Sequence, residues 1–366
     1  MIFLYKKWMK TAISLAVAAQ GQTTPNPAVG SVVVKDGKIV GMGAHLKAGE
    51  AHAEVHALQM AGDNAKGATI YVTLEPCSHY GKTPPCADLI IEKEIKTVVI
   101  GSTDPNPKVS GRGIKRLRDA GIEVITGVCQ PETDSLNEYF FYAMKHKKPF
   151  VTLKTAMSLD GKTATNSGHS KWVTGPEARE DVHRDRHLHD AILVGVNTVK
   201  YDNPSLTVRL PSGGVSPTRI VLDTHLSIPL HSKLLHDEKS PVHIICGNNA
   251  DSHLERELNH LKDVTIHRMD EGTIQIQPVL TYLFEQNIHS VYVEGGSEIH
   301  ASFIHSKAVN RFITYIAPKM ITGQRAKGVI GGLGIEQMDE AINVRIERTD
   351  MIGSDLKIIA SPKGDE

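Results

Sequence analysis

Two short segments constrain the fold of this chain more than any other feature. His52-Ala53-Glu54-Val55-His56 opens what reads as a helix, and Pro76-Cys77 through Pro85-Cys86 follows a β-rich run, Thr69 to Leu74. One imidazole, two thiols and a carboxylate two residues from the imidazole form a set that belongs together in space. Bringing them together requires the start of one helix, the end of a strand and the start of the next helix to converge. Alternating strands and helices in a three-layer α/β domain do this.

His52, Cys77 and Cys86 are zinc ligands in type and number. Three protein ligands leave the fourth tetrahedral corner for water, which the metal ionises near neutral pH. Glu54 lies too near His52 to be needed as a ligand and is placed to carry protons. This is the zinc deaminase pattern, His-x-Glu with a later Pro-Cys and a second cysteine. Other metal readings stay open. His52 and His56 have metalloprotease spacing, but Ala53 stands where that motif needs glutamate. A closed structural site would take His56 or His79 as its fourth ligand. Positive helix dipole ends at His52 and Cys86 favour a thiolate at Cys86.

With 366 residues the chain predicts two domains, which we place at 1–146 and 150–362. The 41 basic and 41 acidic side chains balance, giving no sign of nucleic-acid affinity. The basic excess before Lys148 comes largely from Lys145-His146-Lys147-Lys148, read as a solvated linker. Four cysteines in so long a chain are not a disulfide framework, and Cys129 and Cys246 sit in apolar surroundings typical of core. Lys6, Lys7 and Lys10 before Thr11–Ala19 imitate a signal peptide. The segment runs directly into residues the first domain needs, so an amphipathic helix is expected instead. No apolar run is long enough to cross a membrane.

In the first domain we expect a helix over Trp8 to Gln20 and strands at Val29–Val34 and Ile39–Ala44, joined by an Asp36-Gly37 hairpin turn. The His52 helix should end near Gly62, followed by the strand Thr69–Leu74 and a helix from Pro85 to Glu94. Thr97–Ile100 and Ile122–Ile125 read as strands flanking a helix near Gly113–Ala120. In the second domain, strands are expected at Phe150–Met157, Ala191–Val196, Arg219–Leu222, Val242–Cys246, Val264–His267, Ser290–Val293, Arg311–Ala317 and Asp355–Ala360. Helices are expected at Pro176–His189, Pro278–Gln286 and Glu298–His305. Gly295-Gly296 between a strand and a helix is a weak phosphate-binding signal and lacks the dinucleotide fingerprint. Arg186 and Arg209 are candidate phosphate clamps.

The motifs together carry a resemblance. His-x-Glu and Pro-Cys are similar to the cytidine deaminase-like superfamily, but eight residues rather than two separate Cys77 from Cys86. That spacing, with Thr24-Pro25-Asn26-Pro27, Thr73-Leu74-Glu75-Pro76-Cys77-Ser78-His79 and Asp104-Pro105-Asn106-Pro107, resembles the bifunctional deaminase/reductase family of riboflavin biosynthesis. Leu153 to Lys162, Ser170-Lys171-Trp172, Asp202 to Arg209 and Val293-Glu294-Gly295-Gly296 resemble its reductase half. The resemblance implies an N-terminal cytidine deaminase-like α/β/α sandwich and a C-terminal dihydrofolate reductase-like α/β domain.

The resemblance also implies two reactions, each with its own residues. Zn2+ in the first domain would serve hydrolytic deamination of 2,5-diamino-6-ribosylamino-4(3H)-pyrimidinone 5′-phosphate. Glu54 would shuttle protons and the exocyclic amine would leave as ammonia. NADPH in the second would reduce the ribosyl group of the product to ribityl. Cofactor contacts are implied at Ala156, Trp172, Thr198, Asp202, Thr224 and Gly296, Ser297, Glu298, Ile299, His300, Ala301 and Ser302. Thr224 stands where many relatives have serine. Substrate contacts are implied at Ser170, Arg186, Leu206, Arg209 and Glu294. Asn26, His45, Asp104 and Asn106 are candidates for reading the pyrimidine edge, and Lys154 for orienting or protonating the opening sugar. The expected setting is a cytoplasmic homo-oligomer acting on phosphorylated pyrimidines, with neither nucleic acid nor membrane as partner. Three rivals share parts of the pattern: a nucleoside or tRNA deaminase, a deaminase fused to a different reductase, and a catalytically silent zinc-stabilised module.

Overall fold

The computed structural model describes residues 2–78, 80, 84–106 and 109–363. The chain forms two compact units, residues 1–147 and 148–366. In the first unit the elements are α1 (Ile2–Ala18), β1 (Gly30–Lys35), β2 (Lys38–Ala44), α2 (Ala53–Ala61), β3 (Thr69–Leu74), α3 (Cys86–Glu92), β4 (Thr97–Ser102), α4 (Arg112–Asp119), β5 (Glu123–Ile125), α5 (Gln130–Leu136) and α6 (Glu138–His146). The sheet order is β2-β1-β3-β4-β5.

Period-two alternation builds the layers. Val33, Ile70, Val72, Val98 and Ile100 face α2, α3 and α4, packing on Leu58, Ile90 and Leu117. Their neighbours Val32, Val34, Tyr71 and Val99 point the other way, onto Trp8, Met9 and Ala12 of α1. The first helix is thus a core element, and it begins six residues before the expected Trp8. The hairpin forms at Asp36 (φ 50) and Gly37 (φ 74), the left-handed pair that a two-residue turn demands. Lys145 and His146 are not linker; they close the last turn of α6.

The second unit contains β6 (Phe150–Ser158), α7 (Pro176–Leu188), β7 (Ala191–Gly195), α8 (Val196–Asp202), β8 (Thr218–Leu222), β9 (Val242–Cys246), α9 (Ser252–Asn259), β10 (Val264–Arg268), α10 (Ile276–Glu285), β11 (Ser290–Gly295), α11 (Ser297–His305), β12 (Arg311–Ala317), β13 (Val344–Ile352) and β14 (Asp355–Pro362). Its nine strands run β10-β9-β8-β7-β11-β6-β12-β14-β13. The pairs from β10 through β12 are parallel, while β12–β14 and β14–β13 are antiparallel. One face packs on α10 and α11 through Val279, Leu283 and Phe303. The other packs on α7 through Ala178 and Val182, and on α8 and α9 through Val199 and Leu258.

In an open parallel sheet, ligands bind outside the carboxyl ends of the strands. Here that edge is where β6, β7, β8 and β11 end at Ser158, Gly195, Leu222 and Gly295.

Candidate active sites

The first site is built at the junction of α2, β3 and α3. His52 is the N-cap of α2, so its ring stands just ahead of the helix and Glu54 falls in the first turn. Close approach of α2 to β2 depends on glycine. A Cβ on Gly43 would lie 2.5 Å from His56 Cβ and 2.6 Å from the Ala53 carbonyl, and one on Gly41 would lie 2.0 Å from the Ala57 carbonyl. β3 delivers Cys77 three residues past its end, and Cys86 is the first residue of α3, with Pro85 at the N-cap.

His52 Nδ1 lies 3.3 Å from Cys86 Sγ and 3.6 Å from Cys77 Sγ. Zinc–sulfur and zinc–nitrogen bonds of their usual lengths place tetrahedral corners about 3.5 Å apart, so these donors fit zinc as they stand. Among the described residues they form one metal-competent cluster, within 4.8 Å of one another. His56 is not part of it, and His79 lies outside the described residues. Without metal the two thiols share their charge unequally. Cys77 is lowered to about 4, chiefly by the Cys86 thiol and then by His52, and also accepts the Cys86 backbone N–H at 3.2 Å. Cys86 keeps its proton, because its bond to Cys77 and its burial both favour the thiol.

Glu54 is buried, and burial lifts its carboxyl to about 7, against the opposing pull of His52. A carboxyl so placed exchanges protons near neutrality. His45 stands edge-on to His52, with ring centroids 5.3 Å apart. Its Nδ1 donates to the Ala51 carbonyl at 3.1 Å, which leaves Nε2 to accept from Asn26 Nδ2 at 3.0 Å. Burial keeps His45 neutral by lowering its pKa. Asp104 is buried, and burial raises its carboxyl to about 6 while it accepts the Asn106 backbone N–H at 2.8 Å.

The second site lies along the carboxyl edge of the nine-stranded sheet. Ala156 and Lys154 are on β6, Thr198 follows β7, Thr224 follows β8, and Gly296 to Ser302 follow β11. Gly295 and Gly296 form a cradle. A Cβ on Gly295 would sit 2.9 Å from Thr198 Oγ1, and Gly296 holds φ 87 as the N-cap of α11. His300 is buried, and its Nδ1 donates to the Val329 carbonyl at 3.2 Å, while its buried Nε2 has no partner among the described residues. A glycine cradle at a helix start and an unpartnered acceptor beside it are features a nicotinamide dinucleotide would satisfy. Not every residue of the run faces outward. Ile299 packs on Gly195 and Ala301 is buried, so those two offer backbone rather than side chain. Ser302 Oγ is turned back onto the Glu298 carbonyl at 2.9 Å, and Glu298 accepts the Gly332 N–H at 3.4 Å. Trp172 is 62% exposed, with Arg179 stacked 4.7 Å over its ring, and Asp202 pairs with Lys171 at 3.8 Å.

Arg186, a candidate phosphate clamp, is engaged within the chain. Its Nε and Nη2 hold the Glu294 carboxylate at 2.5 and 2.9 Å, and Nη1 holds the Thr207 carbonyl at 3.0 Å. Arg209 is exposed and makes no hydrogen bond or ion pair among the described residues. Leu206 is in the core at φ 54, and Ser170 is half-buried in the loop before α7. Lys154 feels Glu294, Arg186 and Asp185, and burial lowers its pKa. Two groups here escape sequence reasoning. His183 lies one turn before Arg186 with a buried Nδ1 that has no partner among the described residues; burial and the two arginines lower it to about 4. Asp185 takes Tyr292, Tyr315 and Lys357 on one oxygen, each at 3.2 Å. Its helical spacing from Asp181 was the available signal.

Two family models match the chain. One, the cytidine and deoxycytidylate deaminase zinc-binding region, covers residues 4–102, and the other, the RibD C-terminal domain, covers 149–358. The riboflavin biosynthesis protein RibD of Bacillus amyloliquefaciens is 49% identical over 356 residues, covering 97% of this chain and 96% of its own. Among solved structures, Acinetobacter baumannii RibD superposes with a TM-score of 0.91 at 36% identity, covering 99% of each chain. The Thermotoga maritima diaminohydroxyphosphoribosylaminopyrimidine deaminase/5-amino-6-(5-phosphoribosylamino)uracil reductase gives a TM-score of 0.88 at 37% identity, again over 99% of each chain.

Proposed function

Because the chain belongs to the RibD family of bifunctional deaminase/reductases in riboflavin biosynthesis, we propose which of its own residues carry each of the two reactions. It is an enzyme that deaminates the diaminopyrimidine phosphate and then reduces the ribosyl group of the resulting uracil, with Zn2+ and NADPH as cofactors. We assign the first reaction to residues 1–146 and the second to 150–362.

In the deaminase reaction His52, Cys77 and Cys86 would hold the metal. Zinc bound there supplies a Lewis acid that makes water nucleophilic near neutral pH. Glu54 takes the proton from the attacking water and delivers it to the exocyclic amine, which leaves as ammonia. General acid–base transfer of this kind contributes about 10²–10⁴ in rate. Asn26 and His45, hydrogen-bonded to each other, and Asp104 and Asn106 orient the pyrimidine. The observation that carries this assignment is the buried Glu54 carboxyl, two residues from a donor set with zinc spacing.

In the reductase reaction NADPH supplies the hydride. Ala156, Trp172, Thr198, Asp202, Thr224 and the Gly296–Ser302 turn are the residues that would hold the cofactor. Ser170, Leu206 and Arg209 meet the phosphorylated substrate, with Arg186 and Glu294 acting as one ion-paired unit. Lys154 orients or protonates the opening sugar beside that pair.

The partners are small phosphorylated pyrimidines, and we place the protein in the cytoplasm as a homo-oligomer without nucleic-acid or membrane contact. Balanced charge and four free cysteines support this setting. No helix of the described residues is long and apolar enough to cross a membrane. The edge strand β13, with Ile346 and Met351 59% and 64% exposed, is what a second copy would cover. The direct test supplies the diaminopyrimidine phosphate and follows ammonia and NADPH absorbance together. Both are expected to change; ammonia without NADPH oxidation would remove the reductase assignments.

A further inference from the structure

Glu75 stands where β3 leaves the sheet, two residues before Cys77, and no step above uses it. It is 3% exposed, and no lysine or arginine pairs with it among the described residues. Its charge is met by backbone instead. Oε2 accepts N–H groups from Asp104 at 3.3 Å and Gly111 at 2.9 Å, and Oε1 accepts from Gly113 at 2.9 Å and Ile114 at 3.2 Å. An ionised carboxylate offers about four acceptor positions, so this one is saturated.

The four donors come from two places, the stretch that follows β4 and the start of α4. Both are therefore fastened to the residue that precedes the metal-binding Pro76-Cys77. The fit is close: a Cβ on Gly113 would sit 2.1 Å from the Pro76 carbonyl. From the same helix, Arg116 pairs at 2.6 Å with Asp88 on α3, the helix that Cys86 begins. The carboxylate of Asp104 in turn fixes the Asn106 N–H.

We propose that Glu75 is a positioning residue of the deaminase reaction, holding Asp104 and Asn106 at the distance from the metal corner that the pyrimidine requires. The inference rests on the deaminase reading above. Glu75 touches neither metal nor substrate; it acts through the backbone it holds.

The test is Glu75→Gln, with Glu75→Asp as a milder second variant. The amide keeps the volume but turns two acceptor positions into donors that face backbone N–H groups. The KM for the diaminopyrimidine phosphate should rise about tenfold or more, because a buried donor left unpaired shifts the stretch it belongs to. Zinc content and NADPH oxidation with the uracil substrate should be unchanged. Amide exchange should quicken at Gly111, Gly113 and Ile114, a readout that needs no activity. Combined with Asn106→Ala, the effects on KM should be less than additive, since both act on one stretch. An unchanged KM in Glu75→Gln would overturn the proposal while leaving the deaminase reading intact. Zinc lost in step with activity in both variants would also overturn it, making Glu75 a support of the metal site instead. Wild-type protein that releases no ammonia would remove the deaminase reading and the proposal with it.

Discussion

Arg186 on α7 and Glu294 on β11 meet as a two-pronged ion pair, with side chains only 12% and 10% exposed. Burial pushes the Glu294 carboxyl up, but Arg186 and Lys154 outweigh it and hold it at about 2. The pair crosses from helix to strand beside Gly295, so the reductase site and the packing of α7 share one interaction.

Breaking it should therefore cost both. Glu294→Gln leaves a buried guanidinium without its counter-charge, a loss of about 3–5 kcal/mol. We expect lower stability of the second unit, suppressed NADPH oxidation and unchanged ammonia release. Chemical denaturation read beside the two assays checks this. Full reductase activity in the variant would show that the pair is dispensable.

Acid should weaken the second unit well above the range in which carboxylates protonate. His189 is buried, bonded to the Asp185 carbonyl at 2.7 Å and to Thr152 at 2.9 Å, and burial lowers it to about 4; His183 is lowered similarly. An unfolded histidine protonates near 6.5, so below that pH the unfolded chain binds more protons than the folded one. Stability is thus complete above about pH 6.5 and lost as pH falls toward 4, by up to about 3 kcal/mol per histidine. Exchange protection in β7 and β11 should fall between pH 7 and 5, less steeply in His189→Asn. A flat profile across that range would contradict the assignment.

Gly43→Val should separate the two activities. The added side chain meets the Ala53 carbonyl and His56 Cβ and lifts the start of α2, which carries His52 and Glu54. Overpacking costs about 1–3 kcal/mol, and a displacement near 1 Å at the reacting groups costs about a hundredfold in rate. Ammonia release should drop accordingly while NADPH oxidation with the uracil substrate persists. Equal loss of both would mean that the substitution unfolds more than α2.

Much of this architecture was legible where local chemistry and tertiary packing agree. Asp36-Gly37 specified its hairpin, and the Thr69–Leu74 strand and the His52 helix fall within one residue of expectation because pattern and cap coincide. Elements set by their neighbours were not. α9, Ser-His-Leu-Glu-Arg-Glu-Leu-Asn, is mostly polar and offers little stripe beyond Leu254 and Leu258. β13 is exposed along most of its length and exists through pairing with β14. α5 and α6 follow a left-handed Cys129 that no motif announces. At the sites, His52, Glu54, Cys77 and Cys86 carried their chemistry in type and spacing. The role of Glu75 is written in backbone N–H groups from residues 104–114, and side-chain sequence does not encode those.

Metal removal should act on one reaction only. Chelation is expected to abolish ammonia release, which zinc alone restores, and to leave reduction of the uracil intermediate unaffected. Replacing Cys86 by serine should lower bound zinc from one per chain. Activity that survives complete demetallation would rule out the three-donor site.

On the proposed mechanism Glu54 moves the protons of deamination, and the reductase depends on the product. The most direct measurement gives Glu54→Gln protein NADPH and, separately, the diaminopyrimidine phosphate or the deaminated uracil. With the first substrate neither ammonia nor NADPH oxidation should appear, although zinc remains bound; with the second, NADPH should be consumed at the wild-type rate. Ammonia release by the zinc-loaded variant at more than about a hundredth of the wild-type rate would rule out Glu54 as the proton carrier.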